Sequence, residues 1–316
     1  MVAGTPTSRA HPPAVALAKW KRWVSLRAYG LVTSILFGAS TSPLTMRDRF
    51  ERFGRVPRET LQRKYPSLRF QDHVTGELAI ESICAVQVPA RVILYTHGGA
   101  FFMGSPASYR NRAMRLSYRC HAEVFVPAYR LAPECPYPAA FDDVLAAWKL
   151  VKTLRPNAPL FVCGDSAGGG LSLSLVVRLR DLGLSMPNGA VLLSPWTDLT
   201  VSGASVDGNY GKDLWFTRKH LETWASYYVG SADAHSPYVS PVFADLSRLP
   251  SLLLLVGQDE LLLDDALRVR EAAINKGTDA RVLVGKGMQH DWPLTLPWLD
   301  ESRAAWNAIR EFLEQH

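Results

Sequence analysis

Residues 164–168 read Gly-Asp-Ser-Ala-Gly, the spacing G-x-S-x-G, directly after the apolar run 160–163 and directly before a helical stretch. A serine hydroxyl is a weak nucleophile on its own, and this setting is one that activates it. Glycines on both sides of Ser166 let the backbone turn sharply from strand to helix with an unfavourable φ at the serine and no bulk beside it. Ser166 Oγ would then stand out at the C-terminal edge of a sheet, where the N-terminus of the next helix favours developing negative charge. Upstream, His97-Gly98-Gly99-Ala100 follows an apolar run that ends at Thr96. This bare backbone loop, together with the amide of Ala167, supplies donors for a carbonyl oxygen as it becomes negative, each worth roughly 2.7 to 4 kcal/mol. His97 itself reads as a brace for the loop, because a base beside the oxyanion donors could not also reach Ser166.

A serine nucleophile needs a base, and the base needs an acid to orient it, so an acid and then a histidine are sought downstream. Gly257-Gln258-Asp259 closes the apolar run 252–256, and Gly287-Met288-Gln289-His290 follows the run 282–284, with His290 placed 31 residues after Asp259. That interval holds one helix and one strand, so both loops emerge on the sheet edge that carries Ser166. Asp259 is the preferred acid and Glu260, one residue further into the loop, is its rival. Asp264 and Asp265 sit at a helix start and suit capping. Asp291 adjoins His290 and is expected to point elsewhere.

The elements that must position these groups alternate along the chain from about residue 79. Apolar or β-branched runs at 79–86, 92–96, 123–128, 160–163, 190–194, 252–257 and 280–284 read as strands, several continuous as buried central strands should be. Helices read at 139–154, 167–182, 264–276 and 300–314. The fold class is α/β, a mostly parallel sheet covered on both faces. Two aromatic-rich, proline-interrupted regions fall outside the rhythm, 1–70 and 197–250, and suit a lid over a ligand site.

Composition narrows the function. With 316 residues, 47% hydrophobic and 20% charged, the chain is globular rather than disordered, and four cysteines without zinc-type spacing read as free thiols of a reducing compartment. The net charge of +6 is spread along the chain with no run of five like charges, which argues against nucleic acid as a partner. A basic stretch (Lys19, Lys21, Arg22, Arg27) before an apolar segment at 28–40 superficially resembles a signal peptide. The basic region is too long for one and the apolar part too short for the ~20 residues of a membrane span. A helix and a cytoplasmic protein are expected, without a membrane span.

These motifs together resemble the bacterial hormone-sensitive-lipase-like esterases, family IV of the α/β-hydrolase fold. Besides the H-G-G-x and G-D-S-A-G-G motifs, Tyr129-Arg130-Leu131-Ala132-Pro133-Glu134 with 136–143 behind it, Ser194-Pro195-Trp196-Thr197-Asp198-Leu199 and the run 257–265 are similar to family blocks, so the match covers residue 92 to the C-terminus. The resemblance implies a serine esterase with Ser166 as nucleophile, Asp259 as orienting acid and His290 as base. It implies an oxyanion hole from amides among Gly98, Gly99 and Ala100 plus Ala167, and neither metal nor organic cofactor. A helical cap at 1–55 and 200–240 would cover core segments 56–199 and 241–316. Phe101, Phe102, Tyr210 and Trp215 are the residues expected to line the pocket. Ala100 stands where the family has a third glycine. A negative φ there would keep its amide in place, while its methyl would narrow the room for tertiary alcohols. The expected partner is a small ester of short to medium acyl chain, and the family's habit of pairing through the last strand, here 280–284, allows a homodimer. The same triad would also serve amide, carbamate or lactone hydrolysis, and hydrolase-derived ligand receptors share this fold.

Overall fold

Buried apolar runs pair side by side because only a sheet satisfies their backbone polar groups away from water. The computed structural model describes residues 12–37 and 42–316. In chain order the elements are α1 (Pro12–Phe37), α2 (Pro43–Gly54), α3 (Arg58–Lys64), β1 (Arg69–Thr75), β2 (Leu78–Cys84), β3 (Arg91–Thr96), α4 (Pro106–Cys120), β4 (Ala122–Pro127), α5 (Ala139–Leu154), β5 (Leu160–Asp165) and α6 (Ala167–Asp181). There follow β6 (Gly189–Leu193), α7 (Ser205–Gly208), α8 (Arg218–Val229), β7 (Ser251–Gly257), α9 (Leu263–Asn275), β8 (Ala280–Gly285), α10 (Trp292–Thr295) and α11 (Asp300–Gln315). One eight-stranded sheet runs in the order β1-β2-β4-β3-β5-β6-β7-β8. β1, β2 and β4 pair antiparallel, and the rest pair in parallel.

The expected α/β sheet is present, with β8 at its edge, and β1, α4 and the short helices α3 and α10 were not anticipated. β1 is an edge strand of alternating exposure, so its residues lack the apolar run that marks the interior strands. α4 begins with a capping box, Ser105 accepting from the Ser108 amide while Ser108 Oγ accepts from the Ser105 amide, and it buries Tyr109, Ala113, Leu116 and Cys120 along one face. The helix expected near 28–40 belongs to α1, which ends at Phe37; residues 38–40, and residues 1–11 of the expected cap, lie outside the described residues. No described helix is long and apolar enough to cross a membrane. All four cysteines are unpaired.

β3, β5, β6 and β7 bring their C-terminal ends to one edge. The YRLAPE block ties the loop beyond β3 to this edge. Tyr129 donates to the His97 carbonyl at 2.7 Å, Arg130 pairs with Asp143 at 2.7 Å, and Glu134 receives Arg47 at 2.7 Å while the same guanidinium bonds the carbonyl oxygens of Phe102 and Ala132. α1 crosses the same end of the molecule. It is held by Trp298 Nε1 donating to Ser25 Oγ at 2.9 Å, by Thr33 Oγ1 donating to the Leu214 carbonyl, and by Arg22 donating to the carbonyls of Lys286 and Gly287.

Candidate active site

Ser166 sits between β5 and α6 with φ 52° and ψ −123°, the strained left-handed turn that its flanking glycines anticipated. The turn is pinned on both sides: the Ser166 amide donates to the Leu193 carbonyl at 2.8 Å, and the Trp196 amide donates to the Ser166 carbonyl at 2.9 Å. Gly168 is required by contact, because a Cβ there would collide with the carbonyl oxygens of Thr96 and His97. Asp165, the residue before the serine, fastens the elbow to the neighbouring loop. Its carboxylate accepts from Tyr95 Oη at 2.6 Å, Tyr109 Oη at 2.9 Å and the Gly98 amide at 2.9 Å.

That last bond corrects one expectation, since the Gly98 amide is already spent on Asp165 and points away from any oxyanion. The amides of Gly99, Ala100 and Ala167 donate to no protein acceptor among the described residues, and Gly99 and Ala100 line a cavity together with Ser166. Gly99 has φ 112°, and a Cβ on it would strike the Met103 carbonyl. Ala100 has φ 52°, not the negative value on which its donor geometry was expected to depend. It holds a left-handed conformation that costs an L-residue roughly 1–2 kcal/mol, and Phe101 at φ 64° follows it in the same region. His97 braces this loop from beneath. Its Nδ1 lies 2.8 Å from the Gly98 carbonyl and its ring stacks on Tyr129 at 4.2 Å, while burial lowers its pKa to about 4 and keeps it neutral.

The acid against His290 is Glu260, not Asp259. Glu260 Oε2 lies 2.6 Å from His290 Nδ1, both side chains being buried. The other oxygen, Oε1, receives Ser194 Oγ at 2.8 Å and the Gly257 amide. The reason is the phase of the turn after β7. The amides of Gln258 and Asp259 bond the β8 end, at the carbonyls of Gly285 and Met288, which leaves Gln258 exposed and the Asp259 side chain part-exposed. The chain re-enters the interior at Glu260, and the longer side chain reaches back beneath the strand end. Asp264 and Asp265 do not cap α9 by side chain; Asp265 accepts the amides of Thr197 and Asp198, and Asp264 the amide of Ser205, which anchors the segment after β6.

Asp291 also departs from expectation. It has φ 54°, is buried in the cavity lining, and its Oδ2 stands 3.4 Å from His290 Nε2, while Oδ1 has no hydrogen-bond partner among the described residues. His290 is thus flanked by carboxylates on both ring nitrogens. Burial by itself would lower its pKa, but Asp291, Glu260 and Asp213 outweigh burial and raise it to about 9. Burial pushes the Asp291 carboxyl well above the usual carboxylate range, with His290 opposing it. Asp213 is a third acid of the site that sequence spacing did not reveal. It accepts the amides of Trp215, Phe216 and Leu261 and so fixes the 200–240 segment over the histidine.

The cavity holding Ser166 and His290 is narrow and is walled by Trp215, Phe216, Leu221, Trp224 and Leu262 on an apolar side. Of the four expected lining residues, only Trp215 takes part, its ring 5.5 Å from that of His290. Phe101 is buried against Tyr228 and Phe102 against Trp224 and Tyr227, so both are core. Tyr210 is 72% exposed and lies outside the cavity. Among the described residues no three His, Cys, Asp or Glu side chains converge to hold a metal ion.

A family model described as the α/β-hydrolase fold matches residues 93–294. An acetyl-hydrolase of Streptomyces hygroscopicus is 36% identical over 239 residues, covering 75% of this chain and 80% of that protein. Among solved structures, the esterase EstE5, in a crystal soaked with p-nitrophenyl butyrate, superimposes with a TM-score of 0.80 at 31% identity, covering 97% of this chain and 99% of that one. An esterase from the bacterial hormone-sensitive lipase family does so with a TM-score of 0.82 at 31% identity, covering 92% of this chain and 97% of that one. With its elbow serine, its buried histidine and acid and these likenesses, the chain belongs to the hormone-sensitive-lipase-like (family IV) esterases of the α/β-hydrolase fold.

Proposed function

We propose that this carboxylesterase acts through Ser166, His290 and Glu260 by way of an acyl-enzyme, on esters of short to medium acyl chain. One observation carries the reading: His290 is held at 2.6 Å by a buried, fully bonded carboxylate in the same cavity as a serine on a strained elbow. His290 Nε2 takes the Ser166 proton as Oγ attacks the acyl carbon, and the amides of Gly99, Ala100 and Ala167 receive the oxyanion. Collapse of the tetrahedral adduct breaks the ester bond, and the leaving alkoxide takes the proton from His290. Water then attacks the acyl-enzyme, gives its proton to His290, and releases the acid as Ser166 regains a proton. Glu260 holds the imidazole with its proton on Nδ1, leaving the Nε2 lone pair for the serine. The aromatic walls supplied by the 200–240 segment, with the described residues of 1–55 beside them, act as a cap over core segments 56–199 and 241–316.

A small acyl group is favoured by the close aromatic walls of the site and by the acetyl and butyryl chemistry attached to the relatives. Hydrolysis of p-nitrophenyl esters of increasing chain length, run beside Ser166→Ala protein, tests this. Turnover should be highest for acetate to butyrate and vanish in the variant. A variant that keeps wild-type turnover would overturn the nucleophile. Wild-type protein inactive on every ester, even though Ser166 still reacts with an organophosphate, would overturn the substrate class.

A further inference from the structure

A second, wider groove opens beneath α1 and shares Phe50, Arg112, Trp215 and Thr295 with the catalytic cavity, so the two adjoin at these side chains. Among the described residues the charged ones lining it are Arg112 and Arg115, one turn apart on the same face of α4, and the rest of its walls are apolar or uncharged. Like charges at this spacing repel one another, and neither forms an ion pair: among the described residues no carboxylate oxygen lies within 4.0 Å of either guanidinium. Arg112 makes a marginal 3.5 Å contact with the Ser108 carbonyl and lies 4.6 Å over the Tyr109 ring. Most of its five donors are therefore unspent. The undescribed residues cannot supply the missing acid, because residues 1–47 contain neither Asp nor Glu. Burial first, then repulsion from Arg112 and Arg119, pushes the Arg115 pKa down, whereas at Arg112 burial is outweighed by Tyr109, Asp165, Tyr95 and Asp291 and the pKa is raised, so both stay charged and Arg115 is the one held at a cost.

Arg112 lines both cavities and Arg115 the outer groove alone, so the two guanidiniums stand where the catalytic cavity adjoins the groove. An ester with an anionic end would be held at that junction, with its scissile carbonyl directed toward Ser166. We propose that Arg112 and Arg115 form an anion subsite, and that the esters taken preferentially carry a carboxylate or phosphate on the part that lies in the outer groove. A planar guanidinium fork suits both groups. This deepens the esterase reading and rests on it.

The test uses three aryl acetates: 4-acetoxybenzoate, 4-acetoxyphenyl phosphate and the neutral methyl 4-acetoxybenzoate, each kcat/KM divided by the ester's own alkaline hydrolysis rate. Wild-type protein should prefer at least one anionic ester by about tenfold, the value of one well-made contact. The larger of the two ratios tells carboxylate from phosphate, and 0.5 M salt should reduce it. In Arg112→Gln/Arg115→Gln protein the ratio should fall to near one. In wild-type protein, independent of any variant's folding, 4-hydroxybenzoate or 4-hydroxyphenyl phosphate should inhibit about tenfold more tightly than methyl 4-hydroxybenzoate. Hydrolysis of the neutral ester with no anionic preference and no tighter anionic inhibition would overturn the subsite alone. Failure on all three acetates and on p-nitrophenyl acetate would overturn the esterase reading beneath it.

Discussion

Replacing Glu260 by Gln changes one atom, and the structure says how the new amide will sit. Glu260 Oε1 receives two donors, Ser194 Oγ and the Gly257 amide, whereas Oε2 faces His290 Nδ1 at 2.6 Å. An amide oxygen must take the place of Oε1, since an NH₂ there would meet two donors. The NH₂ is then turned to Nδ1, which must accept, and the imidazole proton is driven to Nε2, the nitrogen that has to take the serine proton. The negative charge is lost as well. The rise of the His290 pKa from 6.5 to about 9 corresponds to roughly 3 kcal/mol of preference for imidazolium, shared among Asp291, Glu260 and Asp213. Wrong tautomer and lost charge together should lower kcat by about 10³ to 10⁴, the scale seen when a triad acid is neutralised in serine proteases. Asp259→Asn should change kcat less than about threefold, because that side chain is part-exposed and makes no bond to His290. Both variants are assayed on p-nitrophenyl acetate, with circular dichroism and thermal melts to show that each is folded. A folded Glu260→Gln enzyme with near-normal turnover, or a collapse of activity in Asp259→Asn, would refute the assignment.

The pH profile offers a second test. A base whose imidazolium is favoured by Asp291 and Glu260 must lose its proton before it can act, so kcat/KM should rise with pH through the range 7 to 9. Asp291→Asn removes the carboxyl group 3.4 Å from Nε2, and if His290 draws it into the ionised form despite its burial, the limb should move toward acid; a limb that stays put would show that Asp291 is neutral in the free enzyme, as its burial favours. At the elbow, Gly168→Ala should destabilise by on the order of 3 kcal/mol in urea melts, because both atoms it strikes belong to the backbone, while Gly208→Ala, with nothing within 4 Å, should be neutral. Ala100→Gly removes a methyl from the cavity wall and relieves a left-handed alanine, and should raise turnover of tert-butyl acetate relative to ethyl acetate by about tenfold; an unchanged ratio would mean that the methyl does not limit the alcohol side.

What could be read from the residues alone follows from how many of them each feature constrains. The interior strands announce themselves because burial on both faces demands an unbroken apolar run, as in Leu252 to Val256. β1 needs only alternate residues, so Arg69–Thr75 carries no such run; α4 was not anticipated, although Ser105, Pro106 and the apolar spacing 109, 113, 116, 120 would have signalled it. Ser166 was legible for the same reason as the strands: the two glycines, the apolar run before it and the helix after it must all agree for an elbow to form. The acid had no such support. Asp259 and Glu260 are adjacent carboxylates, and choosing between them requires the phase of a three-residue turn, which is set by bonds to the carbonyls of Gly285 and Met288 on a strand folded from elsewhere in the chain. Asp213 and Arg112 lay further beyond reach, since each acquires its meaning only from what the fold sets opposite it. Asp213 gathers three amides beside a histidine 77 residues away, and Arg112 lines a groove in which, among the described residues, no carboxylate pairs with it. A nucleophile is written into its neighbours in sequence. The groups placed to tune it and to meet its substrate are written into neighbours in space, and at this site those are two arginines without an ion-pair partner among the described residues and a second carboxyl group beside the histidine.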